Sequence, residues 1–227
     1  MSSSRKAERE CKLMDDKADA FDLTFMRQAI ALAYTQLGRT APNPAVGCVL
    51  VKNDIVVSTG ATGQGGHPHA EQIALELAGD KAQGSTAYVT LEPCHSRSSG
   101  APGCSDRLIN AGVARVVAAS ADPHPTAMDG FAKLKAAGIR VDIGLCRAEA
   151  FPLVEGFFKL LNTGRPLMVV DAAQQGYDAE FTMNAGESPG DAVLRLGREG
   201  LTRIRIPPSS PHLTLLRSHG LIDHDIS

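Results

Sequence analysis

His69, Cys94 and Cys104 stand in order along the chain. One imidazole and two thiolates are a complete protein ligand set for a catalytic zinc, with the fourth tetrahedral position left for water. Two thiolates also balance the charge of Zn2+, so such a site carries little net charge. Glu71 is not needed as a ligand; two residues past His69, it can carry a proton between water and a substrate. Each fragment alone is weak. A His-x-Glu at a helix start is usually a cap with a surface charge, and a Pro-Cys pair is usually core. The order of the residues, at the starts of predicted helices that bracket a strand, is what points to a metal.

The elements that must position these residues follow from periodicity and punctuation. Met26, Ile30, Ala33, Tyr34 and Leu37 recur at helical spacing, with Asp22 or Thr24 as start and Gly38 as stop. Val46–Lys52 and Ile55–Thr59 read as a hairpin around Asn53-Asp54. A helix over His69–Ala78 ends at Gly79, and Thr86–Leu91 is a strand. The spacing then predicts a helix over Ser105–Ala111, a strand over Ala114–Ala118, a helix over Thr126–Ala137 and a strand over Ile139–Ile143. Helix 147–162 carries Pro152, which predicts a kink or two pieces. Leu167–Val170 closes the series as its last strand. This alternation predicts an α/β fold of three α/β/α layers around a mixed central sheet. His69 and Cys104 then lie at helix amino ends, where unpaired N–H groups favour thiolate over thiol.

Bulk composition narrows the function classes. The chain has 227 residues, 43% apolar and 21% charged, enough for a full core in one domain plus a smaller unit. Net charge is −2, with no Trp and 4% aromatics. That argues against nucleic acid as partner, which would call for a basic field and stacking platforms. The longest apolar runs, such as Val49-Leu50-Val51, are far too short for a membrane span. Residues 1–20 carry five basic and five acidic residues without an apolar stretch, so they read as a mobile tail and not a secretory signal. Five cysteines, an odd count, fit a reducing, cytoplasmic setting with thiols free for metal or catalysis. Cys48 reads as a buried small hydrophobe; Cys11 and Cys146 have no ligand partner nearby in sequence. His95, beside a ligand, is a candidate substrate contact, and neighbouring His67 invites misreading as a ligand.

With Glu71, the pattern of His69-Ala70-Glu71 followed by Pro93-Cys94 is that of zinc nucleobase deaminases, although nine residues separate Cys94 from Cys104. Thr40-Ala41-Pro42-Asn43-Pro44-Ala45-Val46-Gly47 and Thr90-Leu91-Glu92-Pro93-Cys94 resemble the pyrimidine deaminase domain of riboflavin biosynthesis, the RibD-type diaminohydroxyphosphoribosylaminopyrimidine deaminases. The long gap to Cys104, Asp122-Pro123-His124-Pro125, and the stretch from Glu155-Gly156-Phe157-Phe158 to Thr163-Gly164-Arg165-Pro166 agree. The resemblance implies zinc held by His69, Cys94 and Cys104, a proton shuttle at Glu71 and a substrate contact at Asn43. It implies hydrolytic removal of the 2-amino group of a diaminopyrimidinone ribotide, giving the aminouracil and ammonia. Two departures stand out. The loop His95–Gly103 is a residue longer than the common family form, and Met128-Asp129-Gly130 replaces a Gly-basic-Gly turn.

The division expected is a tail at 1–20, a deaminase domain at 21–166 and a remnant of a reductase domain at 167–227. About 60 residues are too few for a whole reductase domain. Asp191–Gly200 and Leu201–Ile206 read as helix and strand, and His212–Leu216 as a further helix ending through Ser218–Asp223. Pro207-Pro208-Ser209-Ser210 stands where a reductase would cradle a cofactor phosphate, and proline has no N–H to offer. A poorly ordered extension is the other reading of this segment. Three functions are carried forward: the ribotide deaminase, with a separate reductase as pathway partner and self-association expected; a zinc deaminase of another base, nucleoside or single-stranded nucleic acid; and a non-catalytic, zinc-stabilised scaffold subunit.

Overall fold

The first sheet is built outward from a hairpin. Asn53 and Asp54 both adopt positive φ, 52° and 60°, the turn that matches the twist of the flanking strands. They join β1 (Gly47–Lys52) to β2 (Ile55–Ala61). In the computed structural model, which describes residues 20–96, 100–124 and 128–227, β3 (Thr86–Val89) pairs antiparallel with β1. β4 (Arg115–Ala118) and β5 (Arg140–Ile143) then add in parallel. The order is β2-β1-β3-β4-β5, a mixed five-stranded sheet as the sequence predicts.

Helices cover both faces. Helix α1 spans residues 20–34 and buries Phe25, Met26, Ala29, Ile30 and Ala33 at the spacing of one helical face. It begins before Asp22 and Thr24, the expected starts; Thr24 sits inside it and donates its hydroxyl back to Ala20 O. Helix α2 (Ala70–Ala78) packs against β1 and β2 on the other face. Two glycines make these approaches close. A Cβ on Gly47 would lie 1.9 Å from Ala29 O of α1, and one on Gly60 would lie 2.2 Å from Ala70 O of α2. Cys48 pairs with Gly60, so Gly47 and Gly60 face opposite sides of the sheet. Helix α3 (Cys104–Asn110) lies beside α2 and α4 (Gly130–Ala136). Helix α5 (Arg147–Thr163) is tied to α1 by Arg27 on Glu149, at 2.9 and 3.0 Å.

Three expectations shift. Helix α4 begins at Gly130, after Asp129 at φ 73°, and part of its predicted first turn lies outside the described residues. Pro152 sits inside one continuous helix, so the break into two pieces does not occur. The strand Leu167–Val170 (β6) does not join the first sheet. It pairs in parallel with β8 (Arg203–Ile206) in a second sheet of order β7-β8-β6-β9, where β7 is Ala179–Glu180 and β9 is His224–Asp225. Helices α6 (Pro189–Arg198) and α7 (Leu213–Ser218) complete this unit. Met168, Val170, Leu196, Ile204, Ile206 and Leu216 form its own core. Residues 167–227 are therefore a packed layer and not a loose extension.

One polar cluster locks α1 to the sheet. Arg115 donates to both oxygens of Asp22, at 2.7 and 2.9 Å, and to Asp142 at 2.6 Å, while Tyr88 Oη donates to Asp22 at 2.5 Å. Burial pushes the Asp22 carboxyl up, but the Arg115 and Tyr88 hydrogen bonds outweigh it and hold the pKa below the usual range. Asp22→Asn leaves Arg115 poorly paired and should destabilise the fold by about 1–3 kcal/mol in urea or thermal unfolding near neutral pH. A group with a depressed folded pKa stabilises above its unfolded pKa and stops doing so as pH falls through the folded value. The gap between wild type and variant should therefore close below about pH 4; a gap constant down to pH 2 would contradict the assignment.

Candidate metal centre and active site

The site lies where β3 ends and two helices begin. His69 is the N-cap of α2, and Cys104 is the first residue of α3. Cys94 lies in the buried segment that follows β3. Ser105 fastens that segment to α3, donating both its backbone N–H (3.1 Å) and its hydroxyl (3.0 Å) to Cys94 O. The result is a tight cluster. His69 Nδ1 lies 3.3 Å from Cys104 Sγ and 3.7 Å from Cys94 Sγ. Two ligands on one tetrahedral zinc, with ordinary Zn–N and Zn–S bonds, stand about 3.5 Å apart. The donor set and its spacing therefore fit one zinc ion.

Local electrostatics suit the sulfurs to this role. Cys104 donates its backbone N–H to Cys94 Sγ at 3.2 Å. The side-chain hydrogen bond with Cys104, helped by His69 and that N–H, outweighs burial and lowers the Cys94 pKa to about 3. Cys94 is thus a thiolate at neutral pH. Glu71, in the first turn of α2, is 3% exposed. Burial pushes its carboxyl up, aided by the charge of Cys94 and opposed by His69. A buried acid with a raised pKa is suited to holding and passing a proton.

A cleft of about 330 Å³ opens over these groups, with His69, Glu71 and Cys94 in its wall. Asn43 lines the same cleft. Its side chain lies against Gly66, where a Cβ would stand 2.2 Å from Asn43 Nδ2; Gly66 also has φ 86°, so the position suits glycine twice over. His95 is not among the residues that line the cleft; it lines a neighbouring open recess with Asp106 and Lys133, and Ser96 lines both.

Several lining residues escaped sequence reasoning. His67 stacks on His69 with ring centres 5.3 Å apart. His124 stacks on Phe157 of α5 at 6.2 Å. Asp122 Oδ1 accepts the His124 N–H at 2.9 Å, and burial pushes the Asp122 pKa up. Glu92, 7% exposed, accepts the N–H groups of Asp122 (3.2 Å) and Phe131 (2.9 Å), so its carboxylate ties the far wall of the cleft to the start of α4. The motif Asp122-Pro123-His124-Pro125 carried a signal for this wall. Phe157 lies in the Glu155-Gly156-Phe157-Phe158 stretch that shares in the resemblance, but its helical periodicity does not mark it as a lining residue.

Comparison with known proteins agrees with this geometry. Residues 19–120 match the family described as the cytidine and deoxycytidylate deaminase zinc-binding region. The chain is 46% identical over 170 residues to riboflavin biosynthesis protein RibD of Escherichia coli, covering 74% of this chain and 45% of that one. It thus spans less than half the length of that relative. It is 47% identical over 146 residues to the diaminohydroxyphosphoribosylamino-pyrimidine deaminase of Buchnera aphidicola, covering 64% of this chain and 99% of that one. A solved deaminase/reductase of Thermotoga maritima superposes with a TM-score of 0.78 at 22% identity, over 89% of this chain and 85% of that one, a likeness of fold. Such coverage exceeds what residues 1–166 can supply, so the likeness of fold runs into the second sheet. His69, Cys94 and Cys104, a cluster that could hold one metal ion, stand beside the cleft, and 47% identity over nearly the whole of the Buchnera relative places this chain in the RibD-type family of diaminohydroxyphosphoribosylaminopyrimidine deaminases.

Proposed function

We propose that this chain deaminates 2,5-diamino-6-(5-phosphoribosylamino)pyrimidin-4-one, replacing the exocyclic 2-amino group by oxygen and releasing ammonia. The observation that carries the reading is the convergence of His69, Cys94 and Cys104 within reach of one ion, beside a buried carboxylate and open to a cleft. His69 Nδ1 and the Cys94 and Cys104 sulfurs hold the zinc. Zinc held there acts as a Lewis acid that makes water a nucleophile at neutral pH. Glu71 takes the proton that the attacking water gives up as its oxygen bonds C2 of the pyrimidine. It then passes that proton to the exocyclic nitrogen, the C–N bond breaks and ammonia leaves, while the water's second proton goes to the ring nitrogen that took up the C=N electron pair, leaving the C2 carbonyl. The raised pKa of Glu71 suits both halves of this transfer. Asn43, in the cleft wall, offers an amide to the base or ribose, and the stacked His124 and Phe157 present a flat surface for the ring.

The same reading extends to the rest of the chain. Residues 21–166 are the deaminase domain, and 167–227 are what remains of a reductase domain that no longer takes NADPH. A separate reductase then consumes the product. Among the described residues no helix is long and apolar enough to cross a membrane. We place the enzyme in the cytoplasm, working as a homo-oligomer on a small-molecule substrate.

Ammonia release from the ribotide, compared with cytidine, guanine and a single-stranded oligonucleotide, tests the substrate. Turnover of the ribotide alone is expected; turnover of another compound in its place would move the chain to a different deaminase class, and no turnover with zinc bound would favour a scaffold. Glu71→Gln should retain zinc by metal analysis and lose activity by about 10²–10⁴-fold; a variant with most of its activity would remove Glu71 from proton transfer. Cys94→Ser should surrender zinc to a chelator far more readily than wild type and melt at lower temperature, because ligand loss is felt as folding energy. Unchanged zinc retention in Cys94→Ser would exclude Cys94 as a ligand.

A further inference from the structure

Several glycines at the boundary between the two sheets admit close approaches of the chain. A Cβ on Gly38 would stand 2.4 Å from Tyr177 N, one on Gly156 2.5 Å from Thr202 O, and one on Gly197 2.1 Å from Gly164 O. Gly200 adds a fourth approach, where a Cβ would lie 3.0 Å from Pro42 Cβ. Gly38 and Pro42 flank the turn that delivers Asn43 to the cleft. That turn is closed by Asn43 N–H donating to Thr40 O (2.9 Å) and by Thr40 Oγ1 donating to Asn43 O (2.8 Å). Its Arg39 O accepts the Gly65 N–H at 2.9 Å, which joins it to the rim carrying Gly66.

The second unit presents a stiff surface to this turn. Asp178 Oδ2 accepts from Thr202 N (2.6 Å), Thr202 Oγ1 (2.8 Å) and Arg203 N (2.8 Å), so residues 177–178 cannot shift without residues 202–203. The Arg203 guanidinium lies 5.6 Å from the Tyr177 ring centre and donates to Pro152 O of α5 at 3.2 Å. The Tyr177 hydroxyl donates to Asp171 at the end of β6. Helix α5 itself delivers Phe157 to the cleft.

We propose that the carboxyl-terminal unit is the seat of the substrate-binding turn, with Gly200, Tyr177 and Arg203 as positioning residues that fix Asn43 at the cleft and so set affinity for the ribotide. The proposal rests on the reading of Asn43 as a substrate contact. It gives residues 167–227 a role in the deaminase reaction that filling space would not provide.

The test uses the full zinc-loaded chain and two readouts: steady-state kinetics with the ribotide, and hydrogen exchange of the backbone amides at residues 39–43. Gly200→Ala pushes on Pro42 but also strains a position at φ 82°. Gly186→Ala imposes the same kind of strain in the same unit, at φ 77° with nothing within 4 Å, and serves as control. Gly200→Ala should raise KM by about tenfold, the worth of one misplaced hydrogen bond, with kcat within about twofold and zinc content unchanged. It should also speed exchange at 39–43, while Gly186→Ala leaves KM and that exchange as in wild type. Arg203→Gln, free of backbone strain, should move KM and exchange in the same direction and decides the matter if Gly200→Ala does not fold. Wild-type KM and exchange in Arg203→Gln, or equal effects from Gly200→Ala and Gly186→Ala, would overturn the proposal. Should wild type fail to turn over the ribotide, the functional reading falls, and the exchange measurement alone still decides whether the second unit seats the turn.

Discussion

Everything in the site depends on bringing one nitrogen and two sulfurs, 25 and 35 residues apart in sequence from His69, to within 3.3–3.7 Å of that nitrogen. No local interaction can do this; a sheet can. Strand β3 lies between β1 and β4, buried on both sides, and its carboxyl end fixes where Cys94 emerges. Helices α2 and α3 pack against each other on one face, so their amino ends reach the same point. Binding at the carboxyl ends of parallel strands is the general habit of such sheets, and here β3 and β4 supply that edge. Small polar ties hold the edge in register. Thr90 Oγ1 accepts the Gly47 N–H at 3.1 Å, and Thr62 Oγ1 accepts the Val46 N–H at 2.9 Å, both buried. The helix start that delivers Cys104 also supplies the side chain and the N–H that, with His69, lower the pKa of Cys94, so position and protonation state come in good part from the same element.

The parts of this arrangement governed by local chemistry were legible in the sequence. Asn53-Asp54 marks its hairpin because these side chains tolerate positive φ. His69 before an apolar periodic run, with Gly79 after it, fixes α2 within a residue. Apart from the His69, Cys94 and Cys104 cluster, contacts made across the fold were not legible. Phe157 reaches the cleft from α5 because of how α5 lies on the sheet, which its own periodicity does not encode. His95, next to Cys94 in sequence, lines a neighbouring recess that shares Ser96 with the cleft. Strand β6 reads like its predecessors, being apolar and short, yet it pairs with β8. Pairing partners of short buried strands are a tertiary choice. The two-residue strands β7 and β9 lie below any periodic signal.

The acidic groups around the cleft explain why its centre suits a divalent cation. Glu71, Glu92 and Asp122 are all buried there, beside the thiolate of Cys94. Charge taken from water must be compensated or surrendered. Glu92 is compensated directly, with one backbone N–H on each carboxylate oxygen. The pKa of Glu71 and that of Asp122 are raised, first by burial and in part by the charge of Cys94. A dication held by His69, Cys94 and Cys104 would offset the sulfur charge that raises both. The carboxylate nearest the ligands, Glu71, is also the one whose protonation the proposed reaction must cycle. Burial and the charge of Cys94 push its pKa up while His69 pulls it down, and a side chain so balanced can accept a proton in one half of a reaction and yield it in the other.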